Sequence, residues 1–336
     1  MKILFIRFSS IGDIVLTTPV IRCVKKQLHD AEVHFLSKKS FAPVLENNPY
    51  IDKFFYYEDT ISTLVEKLKE ENYDLVIDLQ KNLRSFRIKQ LLGVKSFSFD
   101  KLNIKKWLFV NLKINLLPSV HIVDRYMKSV SSLGVVNDEK GLDYFITQAD
   151  ESILNSLPEN HRNGYIAWVI GARHFTKRLP FDKMISISKK INSPIILLGD
   201  KSDYEIGEEL SKDNRFKIFN ACGLFSLNQS AALVKHAKKV ITHDTGLMHI
   251  AAAFKKEIIS IWGNTVPEFG MYPYFGKGVQ GEEAHSTKDK GQRFGSVILE
   301  VGNLSCRPCS KIGFEKCPKG HFKCMKEIEE KVFQGI

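Results

Sequence analysis

The strongest constraint on the fold is a rhythm: a short apolar run, a polar turn, then a run with helical spacing. The rhythm occurs in two blocks. In the first, KILFIRF (2–8), AEVHFLS (31–37) and DLVIDLQ (74–80) read as strands. A helix from about Ile14 to Leu28 separates the first two, and TLVEKLKEEN precedes the third. In the second, YIAWVIGA (165–172), PIILLGD (194–200), FKIFNACG, KKVITHD (238–244) and EIISIWG (257–263) alternate with FDKMISISKKI, SDYEIGEELSK (202–212), LNQSAALVKHA (227–237) and GLMHIAAAF. Strands this apolar, spaced by helices, require a parallel sheet covered on both faces. The pattern loosens over Gly134 to Glu159, so the expected fold is α/β, with doubly wound domains at 1–155 and 156–336. In such sheets ligands bind beyond the carboxyl ends of the strands, which makes the residues after each strand informative.

After the first strand comes SSIGD. Gly12 permits a tight turn and Asp13 stands at the start of a helix. Asp13 fits two roles: a cap worth about 1 kcal/mol, or a base at the mouth of a cleft. After the third strand, QKNLRS leads into Arg84 and Arg87, three apart on one helical face and suited to an anionic ligand or to plain surface charge. After YIAWVIGA, Arg173, Lys177 and Arg178 form a basic loop fit to neutralise phosphate. After KKVITHD, a helix starts at Gly246; its free N–H groups and the Thr245 hydroxyl form a cradle for a diphosphate, with His249 in the same turn. Asp244 repels phosphate and suits a sugar hydroxyl or a loop-fixing role.

Charge narrows the partners. The 336 residues carry a formal net charge of +11, which favours an anionic ligand or surface. Eleven Lys and Arg lie between Lys81 and Lys128 against only Asp100 and Asp124. Within that window KLNIKKWLFVNLK is basic and apolar together, the pattern of a solvated helix or of a patch that meets anionic lipid or a phosphorylated acceptor. No nucleic-acid motif accompanies it, so no nucleic-acid partner is expected. No apolar run approaches the length of a membrane span, and KILFIRF reads as a strand and not a signal peptide, so a cytoplasmic protein is expected. Four of six cysteines cluster at the C-terminus as Cys306, Cys309, Cys317 and Cys324. The C-x2-C knuckle suits a structural zinc, although the other spacings are unusual; free thiols are the alternative.

These stretches together resemble glycosyltransferase family 9, the bacterial ADP-heptose:lipopolysaccharide heptosyltransferases. The resemblance rests on SSIGDIVLTTP, DLQKNLRS, KRLP, HDTGLMHIAAAF with IISIWGNTVPE, and the terminal CRPC and CPKGHFKCM. It implies a GT-B fold of two Rossmann-like domains facing a cleft, with the acceptor on the first and a nucleotide-sugar donor, ADP-heptose, on the second. It implies inverting transfer with no cofactor required for catalysis. Asp13 matches the family's catalytic base; Lys177, Asp244, Thr245, Gly246, Leu247 and His249 match its donor site. Ser10, Gly12, Arg84 and Arg87 are the expected acceptor contacts, for a phosphorylated lipid-linked saccharide at the inner face of an anionic membrane. The chain departs from the family in GARHFT before Lys177 and in Leu179, where Trp is common. Asp200 and Glu205 are both candidates for the ribose contact. Rival readings are a transferase for another nucleotide-sugar or acceptor, an epimerase, and a non-catalytic binding protein on the same fold.

Overall fold

A computed structural model describes residues 1–58, 60–276 and 296–336. The chain divides into two compact units. One holds Met1–Lys101, Val120–Phe145 and a short return beginning at Tyr274; the other holds Leu102–Ser119, Ile146–Pro273 and the C-terminal segment. The division thus falls after Phe145, where the sequence places it at 155/156, and the segment 102–119 goes with the second unit.

The first unit is a five-stranded sheet ordered β3-β2-β1-β4-β5, from β1 (Lys2–Ile6), β2 (Glu32–Ser37), β3 (Lys53–Tyr56), β4 (Leu75–Asp78) and β5 (Ser96–Ser98). Every pairing is parallel. The second unit is a six-stranded sheet ordered β11-β10-β9-β6-β7-β8, from β6 (Ile166–Val169), β7 (Ile195–Leu198), β8 (Ile218–Asn220), β9 (Lys239–His243), β10 (Ile258–Trp262) and β11 (Val297–Glu300), again all parallel. Both are Rossmann-like, as the rhythm and the GT-B resemblance predict. In each, the strand order reverses beside the first strand, between β1 and β4 and between β6 and β9. At such switch points the loops diverge and leave a crevice at the carboxyl ends.

Hydrophobic burial explains why the central strands hold. IAWV of β6 and IILL of β7 are buried along their length, as is most of β1. The helices contribute one apolar face each: Leu64, Val65 and Leu68 from Ile61–Lys69, and Met184 and Ile187 from Phe181–Lys190. The C-terminal segment completes the second core with Phe322, Cys324, Met325, Ile328 and Phe333.

The helix expected over 14–28 is two helices, Ile11–Val15 and Thr18–Gln27. Pro19 opens the second, and the Thr17 hydroxyl donates to the Ile14 carbonyl at 2.7 Å, closing the first. SFS of β5 is too short a run to be read from sequence, whereas KFFY of β3 and VILE of β11 are apolar stretches that the sequence reading passed over.

Candidate functional site

Asp13 sits just beyond β1, at the switch point of the first sheet. Its Oδ2 accepts from the Ser10 backbone N–H at 3.1 Å and the Ser10 hydroxyl at 2.8 Å, one half of a capping box. Its Oδ1 lies 2.5 Å from Arg7 Nη2. Arg7 is buried and fixed from three further sides: Nε donates to the Ser9 carbonyl (3.0 Å), Nη1 to the Leu79 carbonyl (2.5 Å) and to the Tyr126 hydroxyl (3.1 Å). Arg7 therefore ties the loop after β1 to the residue after β4, across the crevice the topology creates. Asp13 thus fills the capping role of the sequence reading, and its side chain remains 23% exposed.

The electrostatics follow from these contacts. Burial alone would raise the Asp13 carboxyl, but the Arg7 charge and the Ser10 donors outweigh it and hold the group below the ordinary carboxylate value. Burial pushes the Tyr126 phenol up to about 12, so it stays protonated. Lys101, half-buried, lies within the field of Arg7, Asp78 and Asp13, and burial lowers it below the usual lysine value. The sequence marks Lys101 with Lys105 and Lys106 as part of the basic window; its nearness to Arg7, Asp78 and Asp13 comes from the fold.

Asp78 was also missed. It ends β4 and is buried. Its Oδ1 accepts from the Gln80 and Lys81 N–H groups (3.0 and 2.7 Å), and its Oδ2 from Ser85 Oγ (2.9 Å) with Lys89 Nζ at 3.0 Å. It thereby shapes the QKNLRS loop and the start of the helix Leu83–Leu92. Arg84, exposed, places its guanidinium 5.5 Å over the Tyr57 ring, which packs on Phe8 at 5.6 Å. Arg84 is thus held close to the end of β1, whereas Arg87 is simply exposed. Ser10 is exposed and Gly12 buried beneath the turn.

The second unit has its own constellation at its own switch point. Lys177, after β6, sets Nζ 2.5 Å from Asp244 Oδ2, after β9, and 3.3 Å from the Asp244 carbonyl. Thr265 Oγ1 donates to the same Oδ2 at 3.0 Å. Asp244 therefore fixes the lysine, the second of the two roles its charge allows. Thr245 is the N-cap of the helix Gly246–Ala253 and makes no side-chain cap bond; its Oγ1 lies 3.3 Å from Thr242 Oγ1. The half-buried turn Thr245, Gly246 and Leu247 thus presents a hydroxyl and the first helical N–H groups, with His249 buried in the same turn.

One expectation for this unit changes. Arg178 does not join Lys177: its Nε donates to the Ala172 carbonyl (2.6 Å) and its Nη1 to Asp203 Oδ1 (2.8 Å). Asp203 in turn presses on Gly171, where an added Cβ would stand 2.0 Å from Oδ2. Gly171→Ala is expected to cost about 1–3 kcal/mol, read as a lower Tm with an unchanged denaturant m value. Of the ribose candidates, Asp200 is occupied at Oδ1 by Ser202, N–H and hydroxyl alike, and Glu205 is exposed.

The four cysteines lie near enough to act on one another: Cys309 feels the Cys306 and Cys317 thiols, and Cys324 feels all three. Cys306 Sγ lies 3.7 Å from His321 Nε2, and Cys309 Sγ donates to the Cys306 carbonyl at 3.0 Å. Cys324 is buried in the core and Cys317 packs against it. The donor types suit zinc. Among the described residues, though, the one group of three whose ligand atoms lie within 4.8 Å of one another is Glu32, His34 and Glu71. That group is an ion-pair cluster, with Lys2 and Lys53 on Glu71. A cavity of 340 Å³ opens beside Cys306 and Cys309, with Lys113, Phe314 and Lys319. It contains neither Asp13 nor Lys177.

Comparison with known proteins agrees with this fold. The family model described as Glycosyltransferase family 9 (heptosyltransferase) matches residues 61–291. The chain is 28% identical over 295 residues to lipopolysaccharide heptosyltransferase 1 of Campylobacter coli, covering 79% of this chain and 84% of that protein. A crystal structure of a family 9 glycosyl transferase from Veillonella parvula superposes with a TM-score of 0.74 at 21% identity, covering 99% of this chain and 94% of the other. The E. coli heptosyltransferase WaaC with ADP gives 0.63 at 21% identity, covering 82% and 91%. Among the described residues no helix is long and apolar enough to cross a membrane.

Proposed function

The chain belongs to glycosyltransferase family 9, and from that premise we propose that it is an inverting enzyme moving a heptose from ADP-heptose to the inner core of lipopolysaccharide. The observation that carries the reading is Asp13: an ionised, partly exposed carboxylate held by Arg7 and Ser10 at the switch point of the first sheet. Two of the three reported relatives are heptosyltransferases, and one of these was solved with ADP.

In this scheme an acceptor hydroxyl, on a phosphorylated lipid-linked saccharide at an anionic membrane surface, meets Asp13 in the first unit, with Ser10, Gly12, Arg84 and Arg87 as its contacts. Asp13 takes the hydroxyl proton as the oxygen attacks the anomeric carbon. The bond from that carbon to the diphosphate oxygen breaks on the opposite face, through an oxocarbenium-like transition state. ADP leaves with the bonding electron pair. Lys177, the Thr245 hydroxyl and the helix start at Gly246 meet the charge that builds on it, with Leu247 and His249 completing the turn. The side chains of this chain supply the charge stabilisation, and the scheme routes no step through a metal.

Arg7 sets the pH range of the base. Because its charge depresses the Asp13 value, the carboxylate stays ionised through mildly acidic pH. Replacing Arg7 by Met removes the pull and leaves burial to raise the group. The acid limb of the kcat/KM profile is then expected to move to higher pH, while ADP affinity is unchanged. An unmoved limb would exclude this role for Arg7. The same depression makes Asp13 a stabilising group above its unfolded-state value, a contribution lost as pH falls through the lower folded value.

The test of the reaction is release of ADP from ADP-heptose with a heptose-free lipopolysaccharide core. The scheme expects release that depends on acceptor. Release from a different nucleotide-sugar only would overturn the donor assignment, and release without acceptor would overturn transfer.

A further inference from the structure

The helix Asn103–Leu112 buries none of its residues. Ile104 is 77% exposed, Trp107 52% and Leu112 54%, and the chain continues with exposed Ile114 and Leu116. Isolated exposed apolar side chains are ordinary, but a contiguous set needs an explanation. The set extends into the C-terminal loop. Lys113 Nζ donates to the Cys306 and Pro308 carbonyls (3.1 and 2.7 Å) and Lys311 Nζ to the Asn103 carbonyl (3.5 Å), so helix and loop are neighbours. That loop adds Ile312, 63% exposed, and Phe314.

Charge identifies what covers this face. From 101 to 123 the chain has no acidic residue. Lys105, Lys311, Lys316 and Lys319 are exposed on the helix and loop, against Glu315. Apolar side chains with a tryptophan, rimmed by lysines, match the boundary of an anionic bilayer, where rings and aliphatic chains enter the headgroup region and cations meet phosphate. The loop is also tied to the donor side: Thr176 N–H donates to the Phe314 carbonyl (3.1 Å) and Phe314 N–H to Thr176 Oγ1 (2.8 Å), one residue before Lys177.

We propose that the helix 103–112 and the loop 311–319 form a docking surface for an anionic lipid bilayer. The choice of a membrane over other anionic surfaces rests on the transferase reading, since that acceptor is lipid-linked; the docking itself rests on the exposed face. The assay therefore contains neither donor nor acceptor, and its failure would leave the transferase reading in place.

The intact chain is mixed with vesicles of phosphatidylethanolamine and phosphatidylglycerol, and with vesicles of phosphatidylcholine alone. Of the three tryptophans, Trp168 and Trp262 are buried, so emission changes report Trp107. Flotation with the anionic vesicles and a blue shift are expected. Both should be lost in Ile104→Ser/Trp107→Ser, and flotation should fall about a hundredfold in Lys105→Glu/Lys316→Glu/Lys319→Glu, with Tm unchanged in each. Trp107→Phe should keep flotation and lose the shift. A wild-type chain that stays unbound overturns the proposal, as does equal binding to both vesicle types. A blue shift that follows protein concentration without vesicles, with a dimer in light scattering, overturns it in favour of a second copy of the chain.

Discussion

Asp13→Asn is expected to lower acceptor-dependent transfer by about 10²–10⁴-fold while leaving ADP affinity within about twofold of wild type. The amide can still accept from the Ser10 N–H, so the turn keeps its geometry, but it cannot take a proton. Donor affinity should survive because Lys177 and the turn 244–249 belong to the second unit. The substitution has a second consequence. Arg7, whose side chain is 9% exposed, loses its counter-charge, and an uncompensated buried cation costs up to about 3 kcal/mol. The double variant Arg7→Met/Asp13→Asn should therefore recover part of the stability and none of the rate. Stopped-quench transfer assays and thermal melts on the three proteins separate the two effects. Full activity in Asp13→Asn would return this carboxylate to a capping role.

Lys177→Met should have an effect of similar size on the donor side. Removing one donor that meets the leaving diphosphate costs about 10²–10³-fold in kcat. The expected loss also appears in ADP affinity, because Lys177 is the cation that screens Asp244, 2.5 Å away. Without it a half-buried carboxylate faces the diphosphate. Lys177→Met/Asp244→Asn should then bind ADP more tightly than Lys177→Met alone, by about tenfold, a factor worth about 1.4 kcal/mol. Calorimetric titration of ADP into the wild type and both variants reads this directly. Equal affinity in the two variants would mean that Asp244 does not face the donor.

Much of this site was legible because it follows strands. Asp13, Lys177 and Asp244 lie after β1, β6 and β9, at the reversals of strand order, and apolar runs ending in SSIGD and HDTG announce such positions. What the sequence could not supply were the partners. Arg7 reads as the end of a strand, yet its buried guanidinium, with Ser10, holds the Asp13 carboxyl below the ordinary carboxylate value. Arg178 and Lys177 are adjacent and alike in charge; only Asp203, 25 positions away, separates their roles. Asp78 looks like a strand end, and its loop-building contacts appear only once Ser85 and Lys89 fold over it. The cysteine spacing suggests a cluster, and the four thiols do lie near one another, but that Cys324 is also part of the core was not legible. Elements with a full apolar signal match the observed strands to within three residues at either end, while a short edge strand such as β5 carries no pattern long enough to read.

The most direct measurement is NMR of the product formed from anomerically pure ADP-heptose and a heptose-free lipopolysaccharide core. The account predicts a heptose joined to the core with the anomeric configuration opposite to that of the donor, and no such product from Asp13→Asn. A product that retains the donor configuration, or a core that gains no heptose, would contradict it.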